Sequence, residues 1–323
     1  MRTLKIGRTE LPVKDYRCAL CGLTGREETD YSPEEEPKLW LYVVLTDSCN
    51  ADCPFCVNRS SCGADAGAVT GSRFEEVLTA VGNRLSGVSF TGGEPMLFPE
   101  KLEMLLEIVS RVIPEETEVD MVTNGTGLGR LASIRGLERV ATIHISRHAV
   151  SDARNRELMR WAGAPSEAEL REAVRSLPDP GAAVLNCVLQ KGGVEDPDGL
   201  ADYLEMALRL GVRNTSFISM FQANGFCRTH TVRAEALLAE LREWNASHAA
   251  QFRPWNRFRD HGICSCLTGD YRSGDRSTQF YFRIPGEEKA GYCRQLVYRP
   301  GDVLRDGFGA DAKILIGPDD RLF

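Results

Sequence analysis

Long apolar runs are missing from this 323-residue chain, and none approaches the roughly 18 residues that a membrane-spanning helix needs. The N-terminus Met1-Arg-Thr-Leu-Lys-Ile6 carries no signal-peptide core, which leads to the expectation of a cytoplasmic protein. Internal repeats, low-complexity segments and an obvious peptide-recognition domain are also lacking. A formal net charge of −7 disfavours non-specific contact with nucleic acid. What is present is an ordinary globular composition, 42% hydrophobic, in a chain long enough for one large core or two smaller ones. The unusual feature is its eleven cysteines. Without an export signal they argue for reduced thiols and metal ligation rather than a disulfide framework.

Three of those thiols fall within one short run, Cys49-Asn-Ala-Asp-Cys53-Pro-Phe-Cys56, just after the apolar stretch Leu39 to Leu45. A loop that turns three thiolates toward one centre suits an iron–sulfur cluster, and three protein ligands leave one iron of a four-iron cluster for a non-protein ligand. A zinc knuckle or buried thiols are the competing readings of that spacing alone. Further on, Val88-Ser-Phe-Thr-Gly-Gly-Glu-Pro95 reads as a buried strand running into a turn whose glycines let backbone approach a ligand closely. Val119-Asp-Met-Val-Thr-Asn-Gly125 and Ala141-Thr-Ile-His-Ile-Ser-Arg147 are two more β-rich runs that end in polar residues.

In this order the four segments resemble the radical S-adenosylmethionine (SAM) superfamily. The C-x3-C-x2-C spacing with an aromatic before the third cysteine is similar to the family's cluster loop, and Gly92-Gly-Glu-Pro95 to its GGEP motif. The resemblance implies that Cys49, Cys53 and Cys56 hold a [4Fe-4S] cluster whose open iron chelates SAM. It places Gly92, Gly93 and Glu94 at the methionyl end, Phe55 near the adenine, and Thr123 and Asn124 at the ribose. Ser146 and Arg147 end the fourth strand, where Arg147 would pair with the SAM carboxylate. Val188 to Gln190 end the fifth strand near the adenine, although Lys191-Gly-Gly193 matches the family's pattern there only in part. His148 is divided between substrate contact and packing. In such enzymes one electron, from flavodoxin or ferredoxin, cleaves SAM to methionine and a 5′-deoxyadenosyl radical that abstracts hydrogen from substrate. No catalytic residue beyond these is readable.

Short β-rich runs alternate with helical patterns from about residue 37 to about residue 230, which indicates an α/β protein of parallel βα units. Strands are expected at 39–46, 87–91, 117–123, 139–146, 182–190 and 214–221. Helices are expected at 72–84, 99–112, 128–135, 151–161 with 166–176, 196–210 and 233–250. Six units are too few for a closed eight-fold barrel. The resemblance implies a partial (β/α)6 barrel over 38–232, preceded by an N-terminal extension at 1–37 and followed at 233–323 by a C-terminal helix and a capping extension.

Cys18-Ala-Leu-Cys21 lies before the barrel, and Cys264-Ser-Cys266 and Cys293 lie after it. Such outlying cysteines resemble the superfamily members with a C-terminal auxiliary iron–sulfur cluster, the SPASM-twitch type and the molybdenum-cofactor GTP cyclase group. The spacing, C-x-C followed by 26 residues, departs from that cyclase. The tail Pro318 to Phe323 also lacks its glycines. An auxiliary [4Fe-4S] cluster and a small zinc site both stay open. Cys62, Cys187 and Cys227 have no partner pattern and read as buried, inert thiols. The stretch 253–305 holds nine arginines and one lysine against six acids, interleaved with aromatics. That mixture suits a small, anionic, nucleotide-like substrate gripped through phosphate, and a solvated cap shares the same composition. A peptide-modifying radical SAM maturase, a non-catalytic iron–sulfur electron carrier and a zinc-stabilised binding protein are the alternatives.

Overall fold

The computed structural model describes residues 2–13, 16–17, 29–30, 36–58, 68–222, 224–248, 251–257, 267–283, 292–293, 295–309 and 311–322, with backbone alone at 16–17, 29–30 and 254–257. It opens with an antiparallel hairpin of β1 (Arg2–Ile6) and β2 (Thr9–Val13), and a second small pair joins β3 (Tyr16–Arg17) to β4 (Thr29–Asp30). The six expected strands follow as β5 (Leu39–Val44), β6 (Leu85–Thr91), β7 (Glu118–Thr123), β8 (Thr142–Ser146), β9 (Ala183–Leu189) and β10 (Asn214–Ser219). Each pairs in parallel with the next, as α/β crossovers require. Between them run α1 (Gly71–Val81), α2 (Pro99–Val112), α3 (Asp152–Met159), α4 (Glu167–Ser176) and α5 (Pro197–Leu210).

Strand parity decides what faces where. Side chains alternate along a strand, and Leu41, Val43, Val88, Phe90, Val119, Met121, Ile143, Ile145, Leu185, Cys187 and Phe217 all lie in the main core. They share it with the apolar faces of α1, α2 and α5, through Phe74, Leu78, Leu102, Leu105, Leu200 and Leu204. Helix punctuation follows the sequence. Asp196 accepts the Gly199 N–H at the start of α5, Pro197 is its first residue and Gly211 ends it at φ +79°. Ser166 and Glu169 form a capping box on α4.

One expectation needs correcting. The helix expected at 128–135 is only a 3-10 turn, Leu128–Ser133. Gly127 just before the segment and Gly136 just after it hold positive φ, which bounds any helix there to little more than two turns, and Gly129 inside it is a poor helix former. The helix expected at 233–250 forms, and strands follow it. Among the described residues, a short α6 (Gly225–His230) and α7 (Ala234–Ser247) are followed by the strands β11 (Phe252–Arg257), β12 (Leu267–Ser273), β13 (Arg276–Arg283), β14 (Gln295–Arg299), β15 (Val303–Arg305) and β16 (Ile314–Ile316). These strands extend the barrel sheet at both edges. β13 adds in parallel beside β10, and β14 adds in parallel beside β5. The result is one sheet of twelve strands in the order β11-β12-β13-β10-β9-β8-β7-β6-β5-β14-β15-β16. Arg283 on β13 still acts electrostatically on Asp120 and His144, on β7 and β8. Four strand spacings in a flat sheet would separate β13 from β7 by about 19 Å, so the sheet curls around an interior.

The C-terminal edge is tied down by Asp302. Its carboxylate accepts hydrogen bonds from Tyr298 Oη at 2.7 Å, Thr70 N at 2.9 Å and Thr70 Oγ1 at 2.6 Å. Asp302→Ala removes all three and leaves the buried Tyr298 hydroxyl without its partner. We expect it to lower the free energy of unfolding by about 2–4 kcal/mol in urea titrations; a loss below about 0.5 kcal/mol would show that the edge is held otherwise.

Candidate functional site

The cysteine loop leaves β5 and is clasped at once by the turn after β6. Gly93 N donates to Thr46 O at 2.7 Å and Glu94 N donates to Ser48 O at 2.9 Å. This approach requires glycine. Gly92 sits at φ +139°, and a Cβ on Gly93 would run into the Ser48 carbonyl. Asn58 reaches back to Gly92 O at 3.3 Å. Further along the loop, Asp52 N donates to Met159 O and Asn224 Nδ2 donates to Pro54 O. Segments that follow β6, β8 and β10 therefore hold one short loop, and Cys49, Cys53 and Cys56 are all half-buried on it with none in a disulfide.

Glu94 is the hub beneath this loop. Its side chain is fully buried, and its carboxylate accepts from Met96 N at 2.9 Å, Thr123 Oγ1 at 2.7 Å and Asn124 N at 2.6 Å. Burial nevertheless raises its pKa to about 7. Asn124 passes the link on, donating to Asn50 Oδ1 at 2.8 Å and approaching Cys49 Sγ at 3.7 Å. Thr123 and Asn124, read as ribose contacts, thus also brace Glu94 and the first cysteine. The Glu94 carboxylate is engaged internally, so the surface that this turn offers a ligand is mainly the Gly92-Gly93 backbone.

Phe55 is buried in a small apolar cluster with Met220 and Cys227, flanked by Cys53 and Val188. Its ring stands edge-on to His148, with centroids 4.7 Å apart. His148 Nδ1 accepts from Val188 N at 3.1 Å, which puts the ring proton on Nε2, and burial drops its pKa to about 3. In this structure His148 is a neutral packing residue beneath the loop. Cys187 and Cys227 are buried, as read from sequence.

Strand parity separates Ser146 from Arg147. Ser146 lies on the inner face, in register with Asn186. Arg147 turns to the outer side, where it is fully buried and donates to Met206 Sδ, Pro165 O, Val150 O and Asp152 Oδ1, the last at 2.7 Å. Its guanidinium braces the α3–α4 connection. Of the outlying cysteines only Cys293 is described, and Cys18, Cys21, Cys264 and Cys266, like Cys62, lie outside the described residues. Cys293 is buried, its N–H donates to Pro12 O of the N-terminal hairpin at 2.7 Å, and burial pushes its thiol up to about 12.

The inner face holds polar residues that the sequence reading missed. Asp120 and His144 are buried there, His144 Nε2 lies 3.8 Å from Asp120 Oδ2, and Asn186 Oδ1 lies 3.1 Å from His144 Nδ1. Burial pushes Asp120 up to about 7, against the pull of nearby Ser89 and Arg283, and holds His144 down to about 3. The signal was available. Ser89, Asp120, His144, Asn186 and Ser216 each interrupt an apolar strand at the parity opposite the core.

The loop's chemistry fits an iron–sulfur cluster. Burial and then the charges of Cys56 and Cys49 raise the Cys53 thiol to about 12, so three thiolates held this close favour a cationic partner. Among the described residues no group of three His, Cys, Asp or Glu side chains is drawn together tightly enough for a single metal ion. A four-iron cluster separates its ligand sulfurs more widely than one ion does. The group would be held by Cys49, Cys53 and Cys56, with the Gly92-Gly93 backbone beside it.

Two outcomes follow. Gly93→Ala is expected to fold normally by circular dichroism but to take up little iron on anaerobic reconstitution, because the loop cannot close; a full complement would contradict the clasp. Asp120 titrates near 3.8 unfolded and near 7 folded, so its contribution is favourable below about pH 4 and is lost as pH rises toward 7. His144 runs the other way, its contribution present above about 6.5 and lost as pH falls. Asp120→Asn should therefore gain stability over wild type by about 1–2 kcal/mol more at pH 8 than at pH 5.5 in apoprotein urea titrations. Parallel pH curves would show that the carboxyl is not desolvated.

Comparison with known proteins agrees with this geometry. The probable GTP 3′,8-cyclase of Halobacterium salinarum is 39% identical over 109 residues, 30% of this chain and 29% of that protein. The probable GTP 3′,8-cyclase of Thermococcus kodakarensis is 29% identical over 174 residues, 53% of each chain. The chain thus spans about half or less of the curated relatives it matches. Among solved structures, Streptococcus suis SuiB bound to S-adenosylmethionine superposes with a TM-score of 0.60 at 15% identity, over 86% of this chain and 63% of SuiB, a likeness of fold. The family model for the radical SAM superfamily matches residues 43–204, from β5 through the cysteine loop and the Gly-Gly-Glu turn into α5. With half of its length matched and the cluster loop clasped as described, the chain belongs to the radical SAM superfamily.

Proposed function

We propose that this protein is a radical SAM enzyme that acts on a small, anionic, nucleotide-like substrate. The observation that carries the reading is the clasp of the three-cysteine loop against Gly92-Gly93-Glu94 and Asn124, which joins the cluster ligands and the SAM-facing turns in one hydrogen-bonded unit. When bound, the reduced cluster and SAM supply a 5′-deoxyadenosyl radical that abstracts hydrogen from substrate. The chain's own residues do the positioning. Glu94, Asn124 and Asn50 fix the loop, and Phe55, Met220 and Cys227 shield its inner side from water. An iron–sulfur electron carrier has no use for the Gly-Gly-Glu turn or for a curled sheet of this size.

The nucleotide reading is supported by the sequence matches to GTP 3′,8-cyclases. SuiB has been seen bound to its precursor peptide SuiA, but at 19% identity that likeness is one of fold and does not favour a peptide substrate here. Three arginines of the 253–305 stretch, Arg253, Arg272 and Arg276, are exposed, whereas Arg299 is part-buried and pairs at 3.0 Å with Asp47, just ahead of the cysteine loop. We propose in addition an auxiliary [4Fe-4S] cluster on Cys18, Cys21, Cys264, Cys266 and Cys293, with flavodoxin or ferredoxin as electron donor. The contact of Cys293 with Pro12 supports this by bringing Cys293 to the hairpin that precedes Cys18 in sequence.

The test is an anaerobic iron and sulfide count with dithionite-driven SAM cleavage, on the protein and on its Cys49→Ala/Cys53→Ala/Cys56→Ala variant. About eight irons falling to about four, with 5′-deoxyadenosine lost, is expected. About four falling to none would remove the auxiliary cluster. No 5′-deoxyadenosine from the unaltered protein would remove the enzymatic reading.

A further inference from the structure

A cavity of about 440 Å³ lies where the tip of the β1–β2 hairpin, the end of α1 and the C-terminal segment meet. Four cations line it, Lys5, Arg8, Arg84 and Arg321, and Ile316 and Leu322 supply much of its apolar wall. The hairpin tip reaches this place through Gly7, whose φ of +56° sets the turn against β16, where a Cβ would stand 3.4 Å from Leu315 O. Arg84 stands immediately before β6 and Gly92 immediately after it. At about 3.3 Å per residue the strand sets them about 26 Å apart. The cavity therefore opens at the end of the sheet opposite the cysteine loop and the SAM-facing turns.

No carboxylate lines this cavity. Glu10 stands across from Lys5 in the hairpin register, and Asp320 turns its carboxylate to Gly317 N at 2.7 Å. Among the described residues, Lys5, Arg8 and Arg321 form no ion pair and no side-chain hydrogen bond. Arg84 uses Nη1 alone, donating to Ala80 O at 3.0 Å and Asn83 Oδ1 at 3.3 Å, both neutral acceptors. By contrast Arg73, earlier on α1, is fully engaged by Glu76, Gly317 O and Asp320 O. Like charges gathered from three segments of a chain with a net charge of −7 repel one another. A concave wall with apolar parts focuses their field on whatever enters. The cavity falls in the size range of small-molecule sites. Arginine forks grip phosphate oxygens in pairs, and four cations exceed what a single phosphate can engage.

We propose that this cavity binds a small polyanion carrying a diphosphate or triphosphate group, in a site separate from that of SAM and the radical reaction. The bound anion is not the molecule that loses hydrogen. It neutralises the four cations and ties the hairpin, the end of α1 and the C-terminal segment together.

Calorimetric titration of the reconstituted, SAM-loaded protein with inorganic pyrophosphate at low ionic strength tests the proposal. Pyrophosphate should bind saturably and at least about 10-fold more tightly than inorganic phosphate, and Arg8→Ser/Arg321→Ser should weaken it by at least a similar factor. SAM affinity and the circular dichroism spectrum of that variant should be unchanged. The Cys49→Ala/Cys53→Ala/Cys56→Ala variant should bind pyrophosphate as the unaltered protein does. In that same variant ADP is compared with pyrophosphate: tighter ADP assigns the site to a diphosphate ester and tighter pyrophosphate to the free ion, and either supports the inference. Absence of saturable binding, equal affinity for phosphate and pyrophosphate, indifference to the arginine substitutions, or loss of binding with the three cysteines overturns it. None of these results bears on the radical SAM reading.

Discussion

The pair of backbone hydrogen bonds from Gly93 and Glu94 to Thr46 and Ser48 is the contact on which the rest of the site depends. It draws two strand-end turns to a separation that any side chain at Gly93 would prevent. Because the cysteines begin one residue after Ser48, that separation also sets where the three thiols stand. Glu94 converts the contact into a scaffold. Its carboxylate gathers donors from its own turn and from the end of β7, so three strand ends move as one body. Burying such a carboxylate is unfavourable, and its raised pKa records this; the three hydrogen bonds offset the penalty.

The sheet carries two opposed chemistries on its two faces. The outer face is continuous with the apolar stripes of the helices, and burial of those residues is the main drive to fold. The inner face carries a polar residue on strand after strand, at positions where an ordinary core would place valine or leucine. Asp120 and His144 shift their pKa values in opposite directions for one reason, since burial disfavours the charged form of each. The interior therefore keeps hydrogen-bonding groups while burial disfavours the charged forms of Asp120 and His144.

The C-terminal region shows why local reading ran short. Its strands pair with β10 and β5, the two ends of the six-stranded core, and nothing in the local pattern of Gln295–Arg299 says that it will lie parallel to Leu39–Val44. Likewise the run 128–135 carries a helical apolar pattern, but it is bounded by the positive-φ Gly127 and Gly136 and stays a 3-10 turn. Motif reading also assigned Arg147 from its position at a strand end. One step of parity turns it to the helix layer, where Asp152 and three other acceptors hold it.

The sequence by itself determined the six core strands to within a few residues at their ends, most of their helices, the three cysteines of one loop and the glycines that admit it. These follow from periodicity, capping and spacing, which are properties of neighbours along the chain. Tertiary structure alone decided that Glu94 serves as an internal hub, that His148 packs under Phe55, that the C-terminal strands extend both edges of the sheet, and that Asp120, His144 and Arg283 face one interior. Each of these depends on contacts between residues far apart in sequence, whose hydrogen bonds and desolvation arise only when the curled sheet brings them together.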